Sequence, residues 1–587
     1  MDGRRLVAGI AAVALVAVVM VAWVLLSPGW AVRAIDDAAQ AQLGRRFAAT
    51  GGAHLDFSPL AIRIEGPSLS GSSPEADSLM KAKTLVIPVT LGQLIGRRPD
   101  LSQLQLQEPE FALLIDERGQ ASWDFPQAQP GTGLSFTLQQ ASFRYFDARN
   151  GQALAVTNVD GQMSVSQQGA ISFEGSAVLN AHVARIALDL KSLPRINEDG
   201  SPLELAIETD AASASFSGRI ATAKVLSLAG PVSLSSRDTA DVAHWAGLPF
   251  AQGTALPGPL TIDGALDSAG RAYAVRNAAI TLGQFRGAGD LVADLRGERP
   301  KIQAALQADT VWLDALVPDA GAEQGSWGRA KLPVQLLKSL DAEISILARA
   351  AAYGTFSAGP SRLAATLTDG KLDASGAFRL DGEGTASFAA HVDAAVLPPQ
   401  GTLSLKAEKT ALEPVATALT GITALTGTGN FTAELSAQGA TQEELVSTLK
   451  GTASLTLANG RLAGTDLGGI LSGVSNRILD GWSAAPGGTP LTEVTANVNL
   501  ADGVATIASA ELATPAFRLA LTGVADLLRR AVDVKAAMQP PEAASLPVPV
   551  VVKGSWDKPL FYPDVPDILT NPEGGFARLR SQTPPGN

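Results

Sequence analysis

Apolar and polar residues alternate with a period of two along most of this chain, beginning at His54. Leu60, Ile62 and Ile64 alternate with Ala61, Arg63 and Glu65, and Gly66-Pro67 closes the run. That is the signature of a strand with one buried face. Leu85-Val86-Ile87 reads as a strand. Leu101 to Ile115 reads as another, interrupted at Pro109 and ended by the turn Asp116-Glu117-Arg118-Gly119. Pro126 to Gly133 is a linker rich in Gln, Pro and Gly, and the rhythm resumes at Leu134. Ile171 to Leu179 and Ile186 to Leu190 repeat it. Phe378, Leu380, Ala386, Phe388, Ala390 and Val392 share one parity. Arg379, Asp381, Ser387 and His391 share the other, on the two sides of an Asp381-Gly382 hairpin turn. Val494, Ala496, Val498 and Leu500 alternate with Thr495, Asn497 and Asn499, and Phe517, Leu519 and Leu521 with Arg518, Ala520 and Thr522. Val548, Val550 and Val552 form the last clear strand. The pattern predicts a mainly β chain of short strands, each with one apolar and one polar face.

Helical spacing interrupts this rhythm in a few places. Val32, Ile35, Ala39, Leu43 and Phe47 predict a helix over Ala31 to Phe47, ended by Gly51-Gly52. Leu91 to Ile95 predicts one or two turns. Short inserts are expected at Asp238 to Gly247 and Val311 to Leu316, and longer helices at Ala411 to Leu425 and Asp466 to Trp482. Thr441 to Leu449 has Thr441 as N-cap and Glu444 three residues on, a capping box. Asn459-Gly460 reads as a turn after the strand Ala453 to Leu457.

A different pattern occupies the N-terminus. Leu6 to Leu26 is an apolar run of 21 residues without charge or proline, through Leu15 and Trp23. As a helix it is about 31 Å long, the thickness of a bilayer core. Arg4 and Arg5 before it place the N-terminus in the cytoplasm, and Trp23 and Trp30 suit the opposite interface. The run therefore predicts a single-pass membrane anchor with everything after Ser27 exported. A cleaved signal peptide is the alternative, with Val32-Arg33-Ala34 as a poor cleavage site; its apolar region is usually about 7–15 residues.

Composition narrows the chemistry. The chain has 587 residues and a net charge of −12, which argues against broad binding of nucleic-acid phosphates. Cysteine is absent, which removes disulfides, thiolate metal sites and cysteine nucleophiles. The four histidines, His54, His182, His244 and His391, are far apart in sequence and form no metal-binding pair. No nucleophile elbow, phosphate loop or dinucleotide fingerprint occurs. Asp466 follows Gly460 and Gly464 and reads as an N-cap for the helix after it. No catalytic residue, cofactor or metal is expected.

Three stretches together resemble the AsmA family of inner-membrane-anchored envelope proteins. The first is the anchor followed by Leu55 to Leu60, Leu91-Gly92-Gln93-Leu94-Ile95, Glu108-Pro109-Glu110-Phe111, and the turn from Asp116 through Gly119 to Trp123-Asp124-Phe125, where Ser122 stands in place of the family's asparagine. The second is Leu449-Lys450-Gly451 through Asn459-Gly460 to Gly464-Thr465-Asp466-Leu467. The third is Gly523 to Leu527, then Leu546-Pro547-Val548-Pro549-Val550 and Lys553-Gly554-Ser555-Trp556-Asp557-Lys558-Pro559. The resemblance implies an elongated, curled antiparallel sheet forming a β-groove, related to bridge-like lipid-transfer proteins. It implies a role in outer-membrane biogenesis, with phospholipid or another acyl-chain lipid, the inner membrane, and an outer-membrane or periplasmic protein as partners. Phe378, Leu380, Phe388, Val494, Val498, Phe517, Leu519 and Leu521 are then the expected groove lining. The organisation read from the chain is anchor (1–30), N-terminal segment (31–133), β-rich middle (134–410), C-terminal region (411–565) and polar tail (566–587). A structural assembly factor that binds polypeptide is the alternative, since a packed β-sandwich core would leave the same apolar parity.

Overall fold

The computed structural model describes residues 28–563 except 72–77, 125–132, 167, 180–181, 238, 240–257, 314–326, 333, 355, 414–424, 464–465, 467–486, 540–547 and 556–559. The chain is mainly β, in curled sheet with few helices. It divides into two compact units. One comprises residues 1–248 and 255–280; the other comprises 249–254 and 281–587. Among the described residues the first carries fifteen strands, Phe47–Phe57 to Ala272–Leu282, the last crossing the division by two residues. The second carries sixteen, Phe285–Asp294 to Leu560–Pro563.

In the first unit, helix α1 (Gly29–Leu43) ends at Gly44, a left-handed cap; its N–H donates to the Gln40 carbonyl and the next, Arg45 N–H, to the Ala39 carbonyl. Phe47 then starts a strand that folds back along the helix, with its N–H donating to Asp36 Oδ1 at 2.9 Å. Trp30, Val32, Ile35 and Ala39 press onto a cluster containing Ile62, Ile64, Ile87, Leu106 and Leu138, all nearly inaccessible to solvent. Each such side chain contributes about 1.5–3 kcal/mol. Helix α2 (Leu91–Gly96) is nucleated by a capping box between Thr90 and Gln93, and turns Leu94 into the core. The strands Leu104–Gln107 and Glu110–Ile115 both pair in parallel with Leu134–Asp147, so Pro109 interrupts one strand line. A parallel return requires a crossover. It opens at the Asp116 turn, where Asp116 Oδ1 accepts from Arg118 N and Gln120 N, and Gly119 takes φ 84°. Ser122 Oγ accepts from Leu114 N and donates to the Ala112 carbonyl, both at 3.0 Å. Trp123 is buried with Ile115 and Ala121.

Several local expectations change. Gly66-Pro67 does not close its strand but lies inside Leu60–Leu69, because Pro67 still pairs with Ala49. Ala411 and Leu425, the expected ends of a helix, are strand residues. The first helix stops at Leu43, so Phe47 and Gly51-Gly52 lie in a strand, and the register slips between Ala49 and Gly52. Val311 belongs to the strand Lys301–Trp312, not to a helical insert. Helix Gln442–Ser447 has the Thr441 cap, but Glu444 reaches back to Ala440 N rather than to Thr441 N. Asn459-Gly460 is not a turn. It lies inside the 14-residue strand Lys450–Ala463, with Gly460 opposite Leu491.

Asn459 shows a device used repeatedly. Gln140, Asn158, Asn277, Lys409 and Asn459 all have φ near +50°, and each is the second of two consecutive exposed residues within a strand. The next residue turns inward: Ala141, Val159, Ala278, Thr410 and Gly460. These are β-bulges, which bend and twist the strand and shift its phase by one residue. The displaced N–H is caught from the neighbouring strand, Gln140 N by Asp160 Oδ1 at 2.9 Å and Lys409 N by Asn430 Oδ1 at 3.0 Å.

The anchor with Leu6, Leu15, Trp23 and Leu26, the linker, the helices expected within 240–247, 414–424 and 467–482, the tail, His244, Gly464, Leu467, Pro547 and Pro559 lie outside the described residues. Among the described residues no helix is long and apolar enough to cross a membrane.

Two outcomes follow. Left-handed backbone costs a non-glycine residue about 1–2 kcal/mol, so Lys409→Gly should be neutral or stabilising while Lys409→Val lowers the thermal midpoint. Asp147 is fully buried and bound by Arg149 through Nε (2.9 Å) and Nη2 (2.8 Å). Those hydrogen bonds hold its carboxyl below the usual carboxylate range. Its contribution is therefore present above the unfolded value of about 3.9 and is lost as pH falls through the lower native one. Asp147→Asn should cost about 3 kcal/mol at pH 7, and the gap to wild type should close in acid, read from thermal unfolding across pH.

Candidate functional site

The site is a sheet face, and the strand register builds it. In the second unit one row of paired residues runs Gly289, Leu306, Ile346, Leu363, Gly376, Phe388, Leu405, Ala433, Ala453, Val498, Ile507, Gly523, Val534, Val552. All fourteen are apolar or glycine. The adjacent row on the opposite face includes Arg362, Ser387, Lys406, Thr432 and Asn497, all exposed. That outer face is laced by polar contacts such as Thr432 Oγ1 to Ser454 Oγ at 2.7 Å and His391 Nδ1 to Asp373 Oδ1 at 2.7 Å.

The expected lining residues all fall on the inner face. Phe388 and Val498 share the row above. Phe378 and Leu521 share the next, through Ala386, Ala407, Phe431, Leu455, Ala496 and Ala510. Val494 and Leu519 are linked through Leu512. Leu380 and Phe517 adjoin strand ends and pack into the same clusters. The Phe378 ring stacks on Phe388 with centroids 6.0 Å apart, and Phe356 meets it edge-on at 6.0 Å.

Burial along the rows separates a packed core from an open face. In the first unit the row begins Ala53, Ile64, Leu85, Leu106, Leu138, and continues Gly161, Gly175, Ile186, Ile207, Ala214, Leu234, Ile262. Ile64 to Leu138 belong to the cluster on which α1 packs, and are 1–3 % exposed or less. From Gly161 onward every member is half-buried. In the second unit eleven of the fourteen are half-buried. Among the described residues, no second layer buries the apolar face over most of these rows.

Several phenylalanines lie flat over the glycine two residues away. A Cβ placed on Gly175, Gly218 or Gly287 would sit 2.7, 2.6 or 2.8 Å from the ring of Phe173, Phe216 or Phe285. The glycines accept rings that would otherwise project, and the inner face stays low.

One end of the second unit's sheet is covered. After residue 326 the chain crosses the strand ends as a strap. Trp327 Nε1 donates to the Leu527 carbonyl at 2.9 Å, Gly328 N to Gln442 Oε1 at 2.9 Å, and Leu332 N to the Ala440 carbonyl at 2.9 Å. Arg329 pairs with Glu443 at 2.6 Å. Helix α3 (Gln335–Ser339) then leads into Asp341–Tyr353, which pairs in parallel with Lys301–Trp312. With helix α4 (Gln442–Ser447) the strap roofs a cavity of about 390 Å³, lined by Leu332, Val334, Val392, Leu403, Leu435 and Leu445 among others. The cavity falls in the size range of small-molecule pockets. The strap was missed in the sequence, where Trp327 to Leu332 carries no period.

Among the other expected motif residues, Gly119 and Trp123 belong to the crossover turn, Gly460 to the bulge, and Gly554 to the strand Val548–Ser555 with φ 115°. Asp466 lies beside Gly487. Among the described residues no three His, Asp or Glu side chains group as metal ligands.

A long ladder, antiparallel as expected except where Leu134–Asp147 and Asp341–Tyr353 pair in parallel after crossovers, with one apolar, half-open face and one polar face, defines the class. Residues 378–510 match the AsmA family, and this stretch is an AsmA family domain. It contains the hairpin of Phe378 and Phe388, the strap's partner α4, and the second of the three motif stretches; the first and third lie outside it. No curated protein and no solved structure matches the chain.

The two inner-face positions Val498 and Leu519 differ in a measurable way. Leu519 is 6 % exposed, packed with Phe517 and Ala536, whereas Val498 is half-buried. Leu519→Lys should cost about 3 kcal/mol or more, and Val498→Lys about 1 kcal/mol, because the amine reaches solvent along the open face. Thermal midpoints measured side by side check this; equal losses would mean a packed core throughout.

Proposed function

We propose that this is an inner-membrane-anchored, periplasm-facing protein of outer-membrane biogenesis that holds phospholipid acyl chains on its apolar sheet face. The carrying observation is the fourteen-member apolar row, of which eleven members are half-buried. Soluble proteins rarely expose contiguous apolar surface beyond about 300–600 Å². An acyl chain satisfies such a face at no hydrogen-bonding cost, and the continuous row lets it move from strand to strand without meeting a polar step. The AsmA family match supports a lipid-transport-related role. The apolar run Leu6–Leu26 supports the anchor, with the cytoplasm on the side of Arg4 and Arg5. In this reading the protein binds and conducts; it does not catalyse.

A photo-crosslinking amino acid placed at Phe388 or Val498 in the full chain should capture lipid, whereas the same group at Ser387 or Asn497, on the outer face, should not. Mass spectrometry of the adducts reads the result. Polypeptide adducts at the inner positions, with no lipid at any of them, would favour an assembly factor instead. A reporter fused after Asn587 should be active only outside the cytoplasm.

A further inference from the structure

An exposed apolar patch lies at one end of the first unit. Phe57, Leu91 and Ile95 are 70, 67 and 64 % exposed, among the largest values for large apolar residues in the described chain. Leu91 and Ile95 stand four residues apart on α2, so they share a face, while Leu94 points into the core. Phe57 ends the first strand at the turn Ser58-Pro59, and Val89 N donates to the Leu60 carbonyl at 3.2 Å, which sets this turn beside the start of α2. Arg97 and Arg98 follow α2 directly and are exposed, with Asp100 as the acidic residue closest in sequence.

The position of α1 tells what this patch faces. Its strand partner starts beside Asp36, seven residues before the helix end at Leu43, so the chain has by then turned back along the helix. From Asp36 to Gly29 is about 10 Å of helix, and from Phe47 to Phe57 about 33 Å of strand. A strand of that length, continued along the helix, carries Phe57 past the start of α1, and Leu55 and Leu60 beside Phe57 join the same core cluster as Trp30 and Ala31. The apolar run ends at Leu26, so Gly29 lies at most about 11 Å of chain from it. Any bilayer that holds Leu6–Leu26 borders this end of the unit.

We propose that Phe57, Leu91 and Ile95 insert into the interfacial layer of the membrane that holds the anchor, with Arg97 and Arg98 on its anionic headgroups. The inference rests on the anchored topology proposed above. Apolar side chains beside basic ones are the composition of a surface that lies in a membrane interface, and each arginine near an anionic leaflet contributes through short-range attraction. The contact fixes the first unit against the bilayer at a second point beyond the chain itself, and so orients its sheet relative to the membrane.

The chain has no cysteine, so a single introduced cysteine carries a fluorophore without background. Full-length protein is reconstituted in vesicles of phosphatidylethanolamine and phosphatidylglycerol containing lipid with a nitroxide on the acyl chain. Labels at Leu91→Cys, Ile95→Cys and Phe57→Cys should be quenched severalfold more than one at Ala48→Cys, an exposed site nine residues up the same strand. Leu15→Cys reports the anchor. Quenching at Leu15 with none at the three patch sites overturns the patch and leaves the anchor standing. No quenching at Leu15 overturns the anchored reading and this inference with it.

Discussion

Everything here depends on parity: each strand must deliver its apolar side chains to the same side as its neighbours. A slip of one residue would place a whole apolar set on the outer face. The inner rows of both units hold apolar residues or glycine across every pairing traced, and the outer rows answer with hydroxyls, amides and ion pairs. Surface ion pairs such as Lys409 with Glu383 at 3.2 Å contribute little stability. Their value is in keeping the outer face wet, so that the two faces are not interchangeable.

Strands of up to 14 residues in a strongly twisted ladder do not keep pace with one another without correction. The bulges supply it. At Ile507 and Ala510 both residues point inward while Ala508 and Ser509 are exposed between them, and the pairing with Val498 and Ala496 survives the insertion. At Lys409 and Asn459 the same result is reached through a left-handed residue. Bulges also add bend, so the feature that preserves the parity contributes to the curl of the sheet.

This explains which parts were legible in the sequence. The hairpin at Asp381-Gly382, the strands around Val498 and Leu519, and the split of Leu101–Ile115 at Pro109 follow from local alternation and turn chemistry. Asn459-Gly460 misleads because asparagine-glycine is a strong turn signal, and a left-handed bulge demands the same residues. Phe47 misleads because one apolar residue fits both a helix end and a strand start. The capping box of α2, Thr90 with Gln93, is equally local but was not read from the sequence. The strap was not readable there, because Trp327 finds Leu527 across 200 residues, and nothing local encodes that contact. Nor could alternation decide between a sandwich and an open face, since both require the same parity.

What favours the open face is a contrast within the first unit. Under α1 the inner residues lose nearly all solvent contact, as a covered sheet requires; past the helix the same row is only half-buried. Curling brings the inner side chains toward each other and accounts for part of their burial. It leaves part of the second unit's aliphatic residues, Leu306, Ile346 and Val498 among them, partly exposed, each still holding apolar area that would gain about 25 cal/mol per Å² on leaving water. The backbone ladder can carry this deficit because its hydrogen bonds close between strands independently of what lies above the face. The ladder thereby holds the fold without a second layer above every strand, and the partly exposed stretches of its apolar face are what the proposed binding of an acyl chain would use.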